Sequence, residues 1–243
     1  MAHNDHNHHN HNHNHDDHIN NPSTKSGLLE HHHSVWSEIL CHLPYAIFSV
    51  ALCMIFLSFI PNLEIGYKKT SIAYRLFHNF HFLHLLFAGT GTVLTFRKYS
   101  KNVPLCILTS LLVPIIFCTF SDAFLPYLGG KFVSLDMHFH WCFLKHIGTV
   151  APFLLAGVLN GWVMSNHATS VQLFYSIGFH FSHILISSMA SMLYLISFGF
   201  HNWWDRMGFV FMFLIGAVLI PCTLSDIVVP MLFAALRPHG RKK

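Results

Sequence analysis

The sequence predicts an all-α integral membrane protein whose six transmembrane helices form two three-helix repeats of inverted topology. Three observations carry this prediction. Of 243 residues, 53% are hydrophobic and only 10% are charged, whereas soluble domains are about one quarter charged. Six apolar runs are each long enough for a hydrocarbon core of about 30 Å, which takes about 20 helical residues. One motif also occurs twice. Cys118-Thr119-Phe120-Ser121-Asp122, followed by Pro126 and Leu128, and Cys222-Thr223-Leu224-Ser225-Asp226, followed by Pro230 and Leu232, both fit C-T-x-S-D-x-x-x-P-x-L, at an offset of 104 residues.

Residues 1–39 read as a polar, His-rich tail in which disorder is expected, because the composition has too little apolar surface for a core. His3, His6, His8, His9, His11, His13, His15 and His18 are interleaved with Asn and Asp, and His31, His32 and His33 follow. A tract of this kind points to metal buffering or sensing by composition alone. The first apolar run starts near residue 43, too far from Met1 for an ordinary signal peptide, so insertion is expected to rely on the first transmembrane helix.

The six runs fall near 43–61, 77–97, 103–126, 146–165, 171–199 and 208–235. Strand-length alternation is absent, and a chain in lipid must satisfy its backbone internally, so each run reads as a helix. Pro44 is expected in a first turn, where it is tolerated, and Pro126 and Pro230 are expected to end helices 3 and 6. Gly89-Thr90-Gly91-Thr92 and Ser187-Ser188-Met189-Ala190-Ser191 read as small-residue stripes that let helices approach closely. Trp36, Trp141, Trp203 and Trp204 fall where interfacial belts are expected. Residues 236–243 form a short basic tail. The distribution of Lys and Arg favours both termini in the cytoplasm. The net charge of +4 is scattered, which leaves no nucleic-acid footprint. None of the six cysteines forms a C-x-x-C pair, and no disulfide framework is expected.

The duplication extends beyond the motif. His42 is answered by His146 at the same offset, and His78-x-x-His81 by His180-x-x-His183 at an offset of 102. Residues 40–130 and 144–235 thus read as two copies of one unit. Three helices per copy turn the second copy over in the membrane, a plan that many transporters use. Assigning each residue to the mouth of its helix gives two sets. His78, His81, Asp122 and His146 gather toward one face, and His42, His180, His183 and Asp226 toward the other. Each set is three imidazoles and a carboxylate, the ligand types of zinc that also suit nickel, cobalt or iron. An acid within an apolar helix is in itself a functional hypothesis. Cys118 and Cys222 lie one turn before each Asp and could pass a soft ion inward, and Ser121 and Ser225 could orient ligands. His84, His138, His140, His167, His201 and His239 read as single interfacial histidines. His138 and His140 stand out among them because they precede His146. His84 has no repeat counterpart, since Ile186 answers it.

The function expected from this pattern is transport of a divalent transition-metal ion. The bilayer and the ion are its expected partners, with a second copy of the chain or an energising subunit left open, since no nucleotide-binding motif is present. A b-type di-haem electron carrier is the first alternative, using His146 with His81 or His78 and His42 with His183 or His180. The second is an intramembrane zinc hydrolase. A Ser, an Asp and three His loosely resemble the alkaline ceramidase and adiponectin-receptor group, where a single zinc activates water. Six spans rather than seven, and a duplicated set, depart from that group.

Overall fold

The computed structural model describes residues 26–59, 72–133, 137–140, 142, 146–166, 172–198 and 203–236. Among these residues the chain is helical and has no strand. Six helices follow in order: α1, Ser26–Ser58; α2, Ile72–Tyr99; α3, Val103–Phe132; α4, Ile147–Asn166; α5, Gln172–Ser197; and α6, Met207–Ala235. The residues of 1–25, the His-rich tract included, lie outside the described residues, as do His167, His201 and His239.

Five helices are long and apolar enough to cross a membrane, which fits a multi-pass membrane protein: α1 over Ile39–Ser58, α3, α4, α5 over Gly178–Ser197, and α6. Helix α2 is not among them. Its 28 residues measure about 42 Å, but His78, His81, His84, Thr90 and Thr92 lower its hydropathy. All five are buried. The reason lies in the packing, since α3, α4, α5 and α6 surround α2. Helix α5 is the other interior helix, with 72% of its apolar window buried against 28–33% for α1, α3 and α4. Helix α1 packs on α5 and α6, and α4 packs on α2 and α3. A Cβ on Gly157 of α4 would lie 2.3 Å from the Leu86 carbonyl oxygen, so only glycine lets α4 approach α2 this closely.

Three local expectations are corrected. Helix α1 begins at Ser26, so it includes residues 26–39 of the stretch read as tail, and Pro44 lies in its interior. Pro126 and Pro230 do not end their helices, which continue to Phe132 and Ala235. Each proline instead follows a π-turn, Phe120–Phe124 in α3 and Leu224–Val228 in α6. The Leu125 N–H bonds to the Phe120 carbonyl, and the Val229 N–H to that of Leu224. Proline alone does not impose this, since Pro44, Pro114 and Pro221 lie inside α-helical segments; the two π-turns share the frame S-D-x-x-x-P. Proline cannot donate to the carbonyl four residues earlier and its ring crowds that carbonyl, which in both copies belongs to the Asp. Widening the turn relieves the clash without breaking the helix. Such bulges concentrate at functional sites.

Candidate metal centre

The two π-turns carry the two acids into the middle of the bundle. Asp122 is fully buried and both of its oxygens are engaged. Oδ2 accepts from His81 Nδ1 at 2.9 Å and His84 Nδ1 at 2.7 Å. Oδ1 accepts from Ser121 Oγ at 2.8 Å and Ser187 Oγ at 3.0 Å. Asp226 Oδ2 accepts from His183 Nδ1 at 2.5 Å, while its buried Oδ1 has no partner among the described residues. Gly91 of α2 lies against this second carboxylate. A Cβ there would sit 2.8 Å from Oδ2.

The acids are joined through their histidines. His84 Nε2 lies 2.6 Å from His183 Nε2, and Cys222 Sγ lies 3.6 Å from His84 Nε2. The chain Asp122–His84–His183–Asp226 therefore runs unbroken between α3 and α6. Both Nδ1 atoms face carboxylates and so donate, and the Nε2 contact needs one more proton between the two rings. The pair then holds three ring protons, or one imidazolium.

His84 Nε2, His183 Nε2 and Cys222 Sγ all lie within 4.8 Å of one another, and this buried His/Cys group could hold a metal ion. Its donors are two imidazoles and a thiol, with each imidazole anchored by a carboxylate on its far nitrogen. That support is typical of metal-bound histidine, because it fixes the ring and raises its basicity. Two nitrogens on one tetrahedral ion stand about 3.3 Å apart, given bonds of 2.0–2.1 Å. An ion must therefore displace the shared proton and spread the two rings by about 0.7 Å. The donor set suits zinc and neighbouring first-row ions. A small cleft beside it is lined by His42, His180, Ile184, Thr223, Asp226 and Ile227.

Of the expected sets, His42 and His180 meet at this cleft, with ring centroids 5.0 Å apart, and His183 is bonded to Asp226. On the other side His81 is bonded to Asp122, and His78 contacts His146, with ring centroids 4.9 Å apart. His78 Nδ1 donates to the Tyr74 carbonyl at 2.8 Å and not to an acid. The two acids are linked to each other through His84 and His183, while His78 with His146 and His42 with His180 stand as separate pairs. The helices begin and end farther out than the apolar runs, so His84 lies twelve residues into α2, about 18 Å along it, and Asp122 ten residues from the end of α3.

Ser121 reaches its Asp, whereas Ser225 Oγ has no partner among the described residues. Cys222 joins the His pair. Cys118 is buried beside Phe82, Leu85, Ala88, Cys142 and Val150, and its thiol also stands against His84. Cys142, in the connection between α3 and α4, is fully buried, and burial pushes its thiol up to about 12. His84 is the residue that reading it as interfacial missed. The available signal was periodicity, because His78, His81 and His84 continue one i, i+3 series into α2. No protein-family model matches the chain, and neither a curated protein nor a solved structure does.

Proposed function

We propose that this chain moves a divalent transition-metal ion, of the zinc, nickel, cobalt or iron class, across a membrane. The observation that carries this reading is the convergence of His84, His183 and Cys222 midway along α2, α5 and α6, with Asp122 and Asp226 bonded to the far ring nitrogens. Inverted-repeat transporters bind near the midplane, and a central site meets that requirement. On this reading all six helices cross the bilayer as two inverted units, and the first helix of each unit packs on the other unit. That exchange supports a rocking motion between them. His42 and His180 flank the centre on one side, and His78 and His146 on the other, so imidazoles line the approach from both ends. The two carboxyl groups at the centre favour a cation in surroundings of low dielectric.

The electron-carrier reading fits less well. Of the imidazoles it would use, His81 and His183 are tied to Asp122 and Asp226, and the rings of His78 and His146 and of His42 and His180 stand only 4.9 and 5.0 Å apart between centroids, too close to hold one iron between them at metal–nitrogen bonds of about 2 Å. The hydrolase reading stays second because of one observation: three donors beside a cleft leave a fourth position for water, as catalytic zinc requires.

The test is ion flux into liposomes that hold the purified chain and a trapped metal indicator. Zinc or cobalt influx is expected, and Asp122→Asn combined with Asp226→Asn should lower it at least tenfold, since removing such anchors weakens metal binding about 10–100-fold each. Unchanged flux in that double variant, or no flux from the parent protein, would overturn the proposal.

A further inference from the structure

A second group of metal-binding side chains lies away from the centre, where the connection between α3 and α4 folds back onto α2. The connection carries His138, His140 and Cys142 at alternate positions. His140 and Cys142 are buried. Tyr194 of α5 pins the segment, since its hydroxyl accepts from the His140 N–H at 3.2 Å and donates to the His138 carbonyl at 3.3 Å. His78 comes from the first turns of α2. Its Nδ1 is committed to the Tyr74 carbonyl, which fixes the tautomer and presents the Nε2 lone pair.

We infer that His78, His140 and Cys142 form a second transition-metal site, distinct from the His84/His183/Cys222 centre and able to take one zinc-class ion. The spacing is the main argument. His78 Nε2 and His140 Nε2 are 3.3 Å apart, the separation of about 3.3 Å that two imidazoles adopt on one tetrahedral ion. Cys142 supplies the third donor, and all three ligand atoms lie within 4.8 Å of one another. A Zn–S bond of about 2.3 Å asks the thiol to draw in toward the imidazoles and release its proton to water. The backing of His78 by a carbonyl is the usual support of a metal-bound imidazole. His146 stands at the rim, with its ring centroid 4.9 Å from that of His78 and 6.0 Å from that of His140, within reach of a fourth position. Ring packing against Tyr74 and Phe198 holds the imidazoles in place but does not call for a thiol beside them. The site rests on this geometry and stands whether or not the chain transports ions.

Cobalt(II) titration of the purified full-length protein in detergent tests the inference. Thiolate ligation gives a sulfur-to-cobalt charge-transfer absorption that imidazole ligation lacks. The His-rich residues 1–33 contain no cysteine, so the tail adds nothing to that signal. Two cysteine-dependent contributions are expected. Cys142→Ser should remove about half the amplitude, Cys222→Ser the other half, and the double variant nearly all of it. His140→Gln, which keeps the thiol, should match Cys142→Ser. The Cys222-dependent half remaining in either variant shows that the fold is intact. Full amplitude in both Cys142→Ser and His140→Gln would overturn the second site. Loss of all amplitude in Cys142→Ser with none lost in Cys222→Ser would support the second site and remove the central one.

Discussion

Gly91→Ala separates a ligand-orienting role of the α2 glycines from a packing role. Both Gly89 and Gly91 belong to a small-residue stripe, and helix propensity alone says that Ala stabilises either position by about 0.5–1 kcal/mol. Their surroundings differ. A Cβ on Gly89 would meet Leu154 Cδ1 at 3.4 Å and the Leu154 oxygen at 3.5 Å, which are ordinary contacts. On Gly91 it would meet Asp226 Oδ2 at 2.8 Å and Cγ at 2.9 Å. Reaching a normal separation of about 3.5 Å moves the carboxylate by about 0.7 Å. If the shift runs along its bond to His183, now 2.5 Å, that bond lengthens to about 3.2 Å, the limit of a useful hydrogen bond. A charge-assisted bond is worth about 1.5–3 kcal/mol, so the helix gain offsets only part of the loss, and Gly91→Ala should destabilise by about 1–2 kcal/mol. Freeing His183 from its carboxylate should also weaken zinc or cobalt binding about 10–100-fold. Gly89→Ala should retain affinity and melt at or above the parent temperature. Thermal unfolding in detergent and metal titration measure both effects. Gly91→Ala binding within twofold of the parent protein, or Gly89→Ala losing as much as Gly91→Ala, would refute the claim that Gly91 exists to seat Asp226.

Two further variants probe the acids from other sides. Ser187→Ala removes the 3.0 Å donor to Asp122 Oδ1 but leaves Ser121 in place, so melting should show a loss of about 1 kcal/mol and metal titration a change of only a few-fold. Pro126→Ala and Pro230→Ala restore an N–H where the π-turns form and allow each helix to close into α geometry. Stability should rise or hold while liposome flux falls several-fold, because closing the turn rotates Asp122 or Asp226 away from its histidines.

Much of the helical architecture was legible because it depends on composition. Lipid-length apolar runs admit few structures other than helices, and five of the six expected spans reappear with shifted ends. The C-T-x-S-D repeat was legible too, and its two copies fold into the same π-turn. Pro126 and Pro230 taken one at a time read as helix stops, whereas in the repeated S-D-x-x-x-P frame each follows a π-turn inside a continuing helix. The position of the acids along their helices was less legible. An apolar run marks the hydrophobic part of a helix and not its ends, so Asp122 looked terminal although α3 runs ten residues past it. His84 was hidden by the same symmetry that exposed the other histidines. Repeats highlight what occurs twice, and this residue occurs once. His140 and Cys142 belong to a connection whose fold onto α2 depends on Tyr194, 54 residues away from His140, and no local pattern carries that contact.

The unmatched His84 also decides what kind of site the proposed transporter has. Were the two units identical, each Asp would hold the same histidines and the acids would head two equal, separate clusters. Ile186 stands where a second bridging histidine would be, and it is buried. Asp122 therefore anchors two imidazoles and is saturated by four hydrogen bonds, whereas Asp226 anchors one and keeps an oxygen with no partner among the described residues. A saturated carboxylate gains little from a passing cation. An unsatisfied buried oxygen gains a good deal, because leaving it unmet costs about 1–3 kcal/mol or more for a charged group. Asp226 also lines the cleft that holds His42 and His180. On the proposed reading, the ion meets the Asp226 side first and settles between His84 and His183, while Asp122 holds His84 rigid from behind. Breaking the repeat at one residue turns two potential sites into one central site with a preferred approach.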